Sequence, residues 1–510
     1  MKCLRPVIIS IIAMFSIASC SSFFSGSRPI AVRPLDRKEI QKASAFARNA
    51  PLLTAAEPGE TVYLYKVAFD GTMNDRQRIP LDERETLVAR IARTVNAIYY
   101  PGAGMQGKEI SRRDAATGNS GIHVANQAAE DFFRQAEKWK TDDPHAVVRI
   151  FVTGFSRGAA TARQFMNQVT KEWHNKLPQS AVSPHFYAIF YDTVATGQRN
   201  RLDLSIPVSL DYLVHFVATD EERNLLFTPT VEVVPDSEQL STTELQAGFP
   251  QRLNIIHLPG AHSDIGAAYS EGIGDLYIVL TEKFLYMMGL MPGNCWNTTF
   301  DPLTNGKHDS RGFLDILFGA PDPDRVQKVS RQQVVAEVKP QSSQQRRDNL
   351  NRLQQMINAN TDRGAMLDSS QIETVYASFV LSRDRTGVHV KDVSNSVEAD
   401  SVFIDESKGL TNLHYKMKDA MTTLSLHLDN KILSALDSGS QTLSYTLLKT
   451  PRQSYLAIWL DNRLIEMLPV LEGKTITFGR LKHCKPQTSG SWTAPVQPMI
   501  ITSLKGRVTQ

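Results

Sequence analysis

The chain predicts an α/β architecture, a mainly parallel sheet with helices on both faces, followed by a β-rich C-terminal region. Three observations predict it. From about Thr61 to Leu290, short β-branched or aromatic runs alternate with stretches of helical period. The 510 residues suffice for two or more domains and a large core. From about Thr374 onward, strand-like runs follow one another with turn residues between them, as in a small β-sandwich.

In chain order, Val62–Phe69 reads as the first strand, and Glu83–Tyr99 has helical spacing with Leu87, Ile91 and Val95 on one face. Ile122–Lys140 reads as a second helix, Ala146–Thr153 as a strand and Ala159–His174 as a helix. Phe186–Tyr191 and Leu253–Leu258 are further strands, and Leu276–Leu290 is a long apolar helix. The run Ser330–Arg363 is dense in Gln, Arg, Asn and Ser and reads as a solvated helical connector or loop. The predicted division is a signal peptide over 1–19, a tether and extension over 20–60, a catalytic domain over 61–291, a polar connector over 292–370 and the β-rich domain over 371–510.

The first segment carries an address. Lys2 and Arg5 precede an apolar run from Val7 to Ile17, shorter than the roughly 20 residues a membrane span needs, so it reads as a signal peptide. It ends Ile17-Ala18-Ser19-Cys20, which is similar to a bacterial lipobox whose cysteine becomes the lipidated first residue. An ordinary cleaved signal with an incidental cysteine is the alternative. Ser21 after Cys20 fits delivery to the outer membrane, facing the periplasm, and Ser21 to about Pro34 reads as a tether. Cys295 and Cys484 then remain, either paired in an oxidising compartment or as buried thiols. The net charge of +3 gives no support for a nucleic-acid partner.

Chemistry centres on Gly154-Phe155-Ser156-Arg157-Gly158, lying between the Ala146–Thr153 strand and the helix that follows. A G-x-S-x-G at a strand-to-helix junction is the nucleophile elbow of an α/β-hydrolase. Such a serine needs a base, and the base an acid, each just past a strand's C-terminal end and in the order acid, then histidine. Asp192 follows the strand Phe186–Tyr191, and His262 follows Leu253–Leu258 on a glycine-flanked loop. Asp192 could equally be a helix N-cap. His262 is one of 12 histidines. His215, read as helical, and His257, inside a strand, are poor bases, whereas His308 is a genuine rival because loops carry catalytic groups. Asp264 is either an acid or a loop support. Ala68-Phe69-Asp70-Gly71-Thr72 is similar to the D-x-D-G-T of aspartate-nucleophile phosphatases, but Ala68 stands where their nucleophile would be. The segment reads instead as an oxyanion loop in which the amide of Gly71 or Thr72 joins that of Arg157, or as a turn held by Asp70. No metal or organic cofactor is called for.

Five segments in order resemble one family: Phe69-Asp70-Gly71-Thr72-x-Asn74, Gly154 to Ala160, Tyr191-Asp192-Thr193-Val194, the run from His215 to Arg223, and Gly260-Ala261-His262-Ser263-Asp264-Ile265-Gly266. That family is the uncharacterised α/β-hydrolase-like group containing type VI secretion phospholipase effectors, and the resemblance spans about Tyr63 to Leu290. It implies Ser156 as nucleophile, Asp192 as acid, His262 as base and phospholipid or related lipid esters as substrates. Ala267 replaces the glycine usual after Gly266, and the lipoprotein-like start is foreign to secreted effectors. The expectation is a lipid-anchored serine esterase of phospholipase type, with membrane lipids as substrate and anchoring surface. The alternatives are a catalytically inactive, surface-anchored binding or assembly lipoprotein, and an antibacterial effector.

Overall fold

The computed structural model describes residues 28–56, 60–80, 83–180, 182–223, 227–291, 296, 306–311, 332–360 and a set of strands between 372 and 509. The signal-peptide reading, Cys20, Cys295 and Cys484 lie outside the described residues. The chain divides into two units: Met1–Met291 with Thr298–Asn358 and Lys485–Val496, and a second made mainly of Ala359–Cys484.

The first unit is built on a sheet of seven strands: β1 (Thr61–Phe69), β2 (Ile98–Tyr100), β3 (Val147–Phe155), β4 (His185–Tyr191), β5 (Leu210–Ala218), β6 (Leu253–Leu258) and β7 (Ser491–Thr493). The order is β7-β1-β3-β4-β5-β6, with β2 paired to β1 near its C-terminal end and β7 near its N-terminal end. β1 to β6 run parallel, and only β7 is antiparallel. β1, β3 and β4 are buried at every position after the first, and β5 throughout. Such strands read as continuous apolar runs because helices cover both faces.

Helix α1 is Leu87–Val95, α2 Ser120–Asp142, α3 Arg157–Lys176, α4 the single turn His262–Ile265 and α5 Gly274–Met287. On one face, Ala162, Phe165, Val169 and Trp173 of α3 and Ala128, Phe132 and Ala136 of α2 form one core with Tyr65, Ile150, Phe186 and Ala188 of the strands. Their i, i+3/i+4 spacing is the stripe a helix turns toward a sheet. α5 covers the opposite face, with Phe284 against Phe216 and Thr281 Oγ1 2.8 Å from Tyr191 Oη.

Four sequence readings change. His215 lies in strand β5, not on a helix, because a strand buried on both faces loses the alternation that would distinguish it. The Glu83–Tyr99 helix ends at Val95, where Asn96 turns left-handed (φ 54°), and Ile98–Tyr100 joins the sheet. The polar run 330–363 is helical in part, as read, but the helix does not lie wholly in solvent. Its helix Ser343–Asn358 buries Leu350, Leu353 and Met356, and Arg352 bonds Asp211 of β5 (3.1 Å). Within the tether and extension read over 20–60, the tether does not reach Pro34. Arg28–Ile30 pairs with Lys307–Asp309, and helix Pro34–Phe46 follows, Asp36 accepting from Arg33 N–H (2.9 Å).

The second unit contains two five-stranded antiparallel sheets. One runs Gly387–Asp392, Ile372–Asp384, Gln441–Lys449, Ser454–Leu460, Arg463–Val470. The other runs Ala399–Asp405, Thr411–Met417, Thr423–Leu428, Arg507–Thr509, Ile476–Thr477.

Candidate active site

After β1 the chain goes outward to β2 and then back across β1 to β3. The connections therefore reverse direction between β1 and β3, and in open α/β sheets ligands bind beyond the strand ends at such a switch. Both flanking loops carry residues singled out above: Asp70, Gly71 and Thr72 after β1, Ser156 after β3.

Ser156 stands between β3 and α3 with φ 56° and ψ −129°, a conformation few non-glycine residues adopt. Close packing enforces the bend: a Cβ on Gly154 would come within 2.6 Å of Ala159 Cα, and one on Gly158 would collide with the carbonyl oxygens of Phe69 and Asp70. Ser156 N–H donates to Tyr191 O (3.0 Å), and its carbonyl accepts from Val194 N–H (3.3 Å). The elbow is thus laced to the residues on either side of Asp192.

Asp192 is also left-handed, with φ 37°. Its N–H donates to Phe216 O (2.7 Å), Oδ1 accepts from Ala218 N–H (3.0 Å), and Oδ2 lies 2.6 Å from His262 Nδ1. This bond assigns His262 the tautomer that leaves Nε2 unprotonated. Burial pushes the imidazole pKa down, and the hydrogen bond and charge of Asp192 only partly restore it, so the ring is neutral at pH 7. The ring stacks on Phe155, centroids 4.6 Å apart, with Phe227 on another side at 4.8 Å. Ser156 Oγ itself makes no hydrogen bond to His262 among the described residues; catalytic contacts often close only around substrate.

The rival His308 has a different partner. Its Nδ1 lies 2.6 Å from Asp264 Oδ1, and Asp264 Oδ2 accepts from the amides of Ala261 and His308, both at 2.9 Å. Asp264 therefore holds the loop bearing His262, and His308 belongs to that support. Lys307 adds to it, donating to Asp220 (2.7 Å), which also accepts from Gly260 N–H (2.8 Å).

In the loop after β1, Asp70 is buried and accepts from Gly71 N–H (2.8 Å), Thr86 Oγ1 (2.8 Å) and Tyr99 Oη (2.7 Å). Burial outweighs these donors and raises its carboxyl to about 6. Gly71's amide is taken by Asp70, which leaves the Thr72 amide as the loop's other candidate donor. The Arg157 side chain clamps that loop, donating to Thr72 Oγ1 (2.9 Å), Ala115 O (3.1 Å) and Thr196 O (2.8 Å).

Sequence reasoning left unassigned a cluster over His262. Glu221 Oε2 accepts from His262 N–H (3.1 Å), Arg223 chelates Glu221 (2.8 and 2.7 Å), and Arg223 lies 3.9 Å over the Phe227 ring. The signal was present in the run His215 to Arg223, whose acids and arginine had no stated task. Among the described residues no group of three or more His, Cys, Asp or Glu could hold a metal ion.

No protein-family model and no curated protein matches the chain. Among solved structures, the crystal structure of an uncharacterized protein from Pseudomonas aeruginosa is similar at 16% identity with a TM-score of 0.27. The match covers 50% of this chain and 48% of that one, so it spans about half of each.

Proposed function

We propose that the chain is a serine carboxylic-ester hydrolase with an α/β-hydrolase fold, in which Ser156 attacks, His262 acts as general base and Asp192 holds it. The observation that carries this reading is the 2.6 Å Asp192–His262 bond beside a serine forced into a left-handed elbow at the sheet's switch point. Ser156 Oγ adds to the ester carbonyl carbon as its proton passes to His262 Nε2. The amides of Thr72 and Arg157, the latter at the N-terminus of α3, receive the oxyanion. Collapse expels the alcohol, which takes the proton from His262. Water, deprotonated by the same ring, then adds to the acyl carbon, and collapse releases the acid as His262 returns the proton to Ser156 Oγ.

Lipid esters of phospholipid type are the proposed substrates, supported by the five-motif resemblance and the lipobox-like Cys20. Lipidation of Cys20 would hold the enzyme on the periplasmic side of the outer membrane, beside such substrates. No helix among the described residues is long and apolar enough to cross a membrane. The test is turnover of a p-nitrophenyl ester and of phospholipid vesicles. Wild type hydrolyses both, and Ser156→Ala neither; equal rates from the two proteins refute the assignment.

A further inference from the structure

Another histidine–carboxylate pair, His215 with Glu232, meets the chain one residue beyond Asp192. Thr193 donates its backbone N–H to His215 Nε2 (3.2 Å), and its Oγ1 is 3.0 Å from the same nitrogen. A backbone N–H can only donate, so Nε2 carries the lone pair and Nδ1 the proton. Nδ1 then donates to Glu232 Oε2 (2.9 Å). The other Glu232 oxygen pairs with Arg163, whose guanidinium also donates to Thr230 O (3.1 Å). Arg163, His215 and Glu232 are all fully buried. Burial pushes the Glu232 carboxyl up, but Arg163 and then His215 outweigh it and hold it at about 2. The carboxylate is therefore ionised, and the tautomer of His215 is locked from both sides.

A buried ion cluster of this kind is a weak source of stability, since well-packed apolar residues often do as well. Its placement has another consequence. Asp192 sits at φ 37°, a strained conformation that persists only where neighbours over-determine it. Three of the bonds holding that turn come from its main chain: Asp192 N–H to Phe216 O (2.7 Å), Thr193 N–H to His215, and Thr230 N–H to Thr193 O (2.8 Å). His215 and Phe216 are neighbours on β5, and Thr230 and Glu232 share the strand Thr230–Glu232. The cluster thus ties two strands to the peptide that follows the acid.

We propose that His215, backed by Glu232 and Arg163, is a positioning residue that holds the Asp192–Thr193 peptide so that the Asp192 carboxylate meets His262 Nδ1. This rests on the serine-hydrolase reading. His215 touches no reacting atom; its imidazole serves the main chain, while the imidazole of His262 serves the substrate.

The test is the rate of fluorophosphonate labelling against pH for wild type, His215→Phe, His215→Gln and Glu232→Gln, with folding checked by circular dichroism. His215→Phe and Glu232→Gln should label roughly 10- to 100-fold more slowly, the scale of a misplaced catalytic group. The pH midpoint should also fall, because His262 loses part of the carboxylate that favours its protonated form. Gln, whose Oε1 can accept from Thr193 N–H, should restore most of the rate. Folded His215→Phe or Glu232→Gln with wild-type rate and midpoint would overturn the proposal. Ser156→Ala, run alongside, separates the two claims: labelling that persists there removes the serine reading, whereas its loss there with normal His215 variants removes the positioning role alone.

Discussion

The two ends of the parallel strands solve opposite problems. At the C-terminal ends, Met73, Ser156, Asp192 and Ala267 all have positive φ, four of the five non-glycine residues that do so among those described. At the N-terminal ends of β4 and β5 no non-glycine residue has positive φ among those described, and ion pairs hold the elements together. His185 opens β4 and pairs with Asp211 of β5 (2.9 Å), which also accepts from Tyr187 Oη and Arg352 Nε, both at 3.1 Å. Burial would raise the Asp211 carboxyl, yet His185 and Arg352 lower it to about 2. Strain at one end and satisfied pairing at the other is the division expected when one edge performs chemistry and the other maintains the fold.

The contrast can be broken from either side. The largest expected effect is at the strained end. Asp192→Asn should keep the fold and cut kcat/KM by about 10⁴-fold, because the amide stabilises the wrong His262 tautomer; steady-state kinetics on a soluble ester measure this. Asp211→Asn should do the reverse. Loss of a buried carboxylate facing His185 and Arg352 should cost about 3 kcal/mol in urea unfolding and leave kcat/KM within a few-fold. Parity of the two variants in either assay would erase the distinction.

Smaller effects sharpen it. Arg157→Ala keeps the backbone amide but frees Thr72 from its clamp, so kcat should fall roughly tenfold to a hundredfold with little change in KM. The pH dependence follows from two depressed groups. His262 must be neutral to act and its pKa lies below 6.5, so kcat/KM should be flat above neutrality and decline only in acid. Asp211 is lowered from 3.8 to about 2, so its stabilisation is complete above pH 4 and is lost as pH falls toward 2. Activity should therefore fail at a higher pH than the fold, as paired kinetic and circular-dichroism titrations can record.

Much of the strained end was legible because its candidate residues stand directly after strands. Ser156, Asp192 and His262 each follow a recognisable strand, and glycines mark the turns. Only contacts could separate His308 from His262, since Asp264, which pairs with His308, precedes it by 44 residues. The donor split between Gly71 and Thr72 likewise depends on where the Asp70 carboxylate turns. The pairing end was far less legible. β5 hides its period by being buried on both faces, and the helix Ser343–Asn358 looks solvated because only Asn349, Leu350, Leu353 and Met356 are buried. Its docking depends on Arg352 and Asn349 reaching Asp211 across 141 and 138 residues, a relation that no local pattern encodes.

The central claim is that Ser156 is an activated nucleophile, and intact mass spectrometry after incubation with a fluorophosphonate tests it directly. One adduct per chain, mapped to Ser156 and absent from Ser156→Ala and much reduced in His262→Ala, is the predicted result. A folded wild-type protein that takes up no label, or carries it on another residue, would contradict the account.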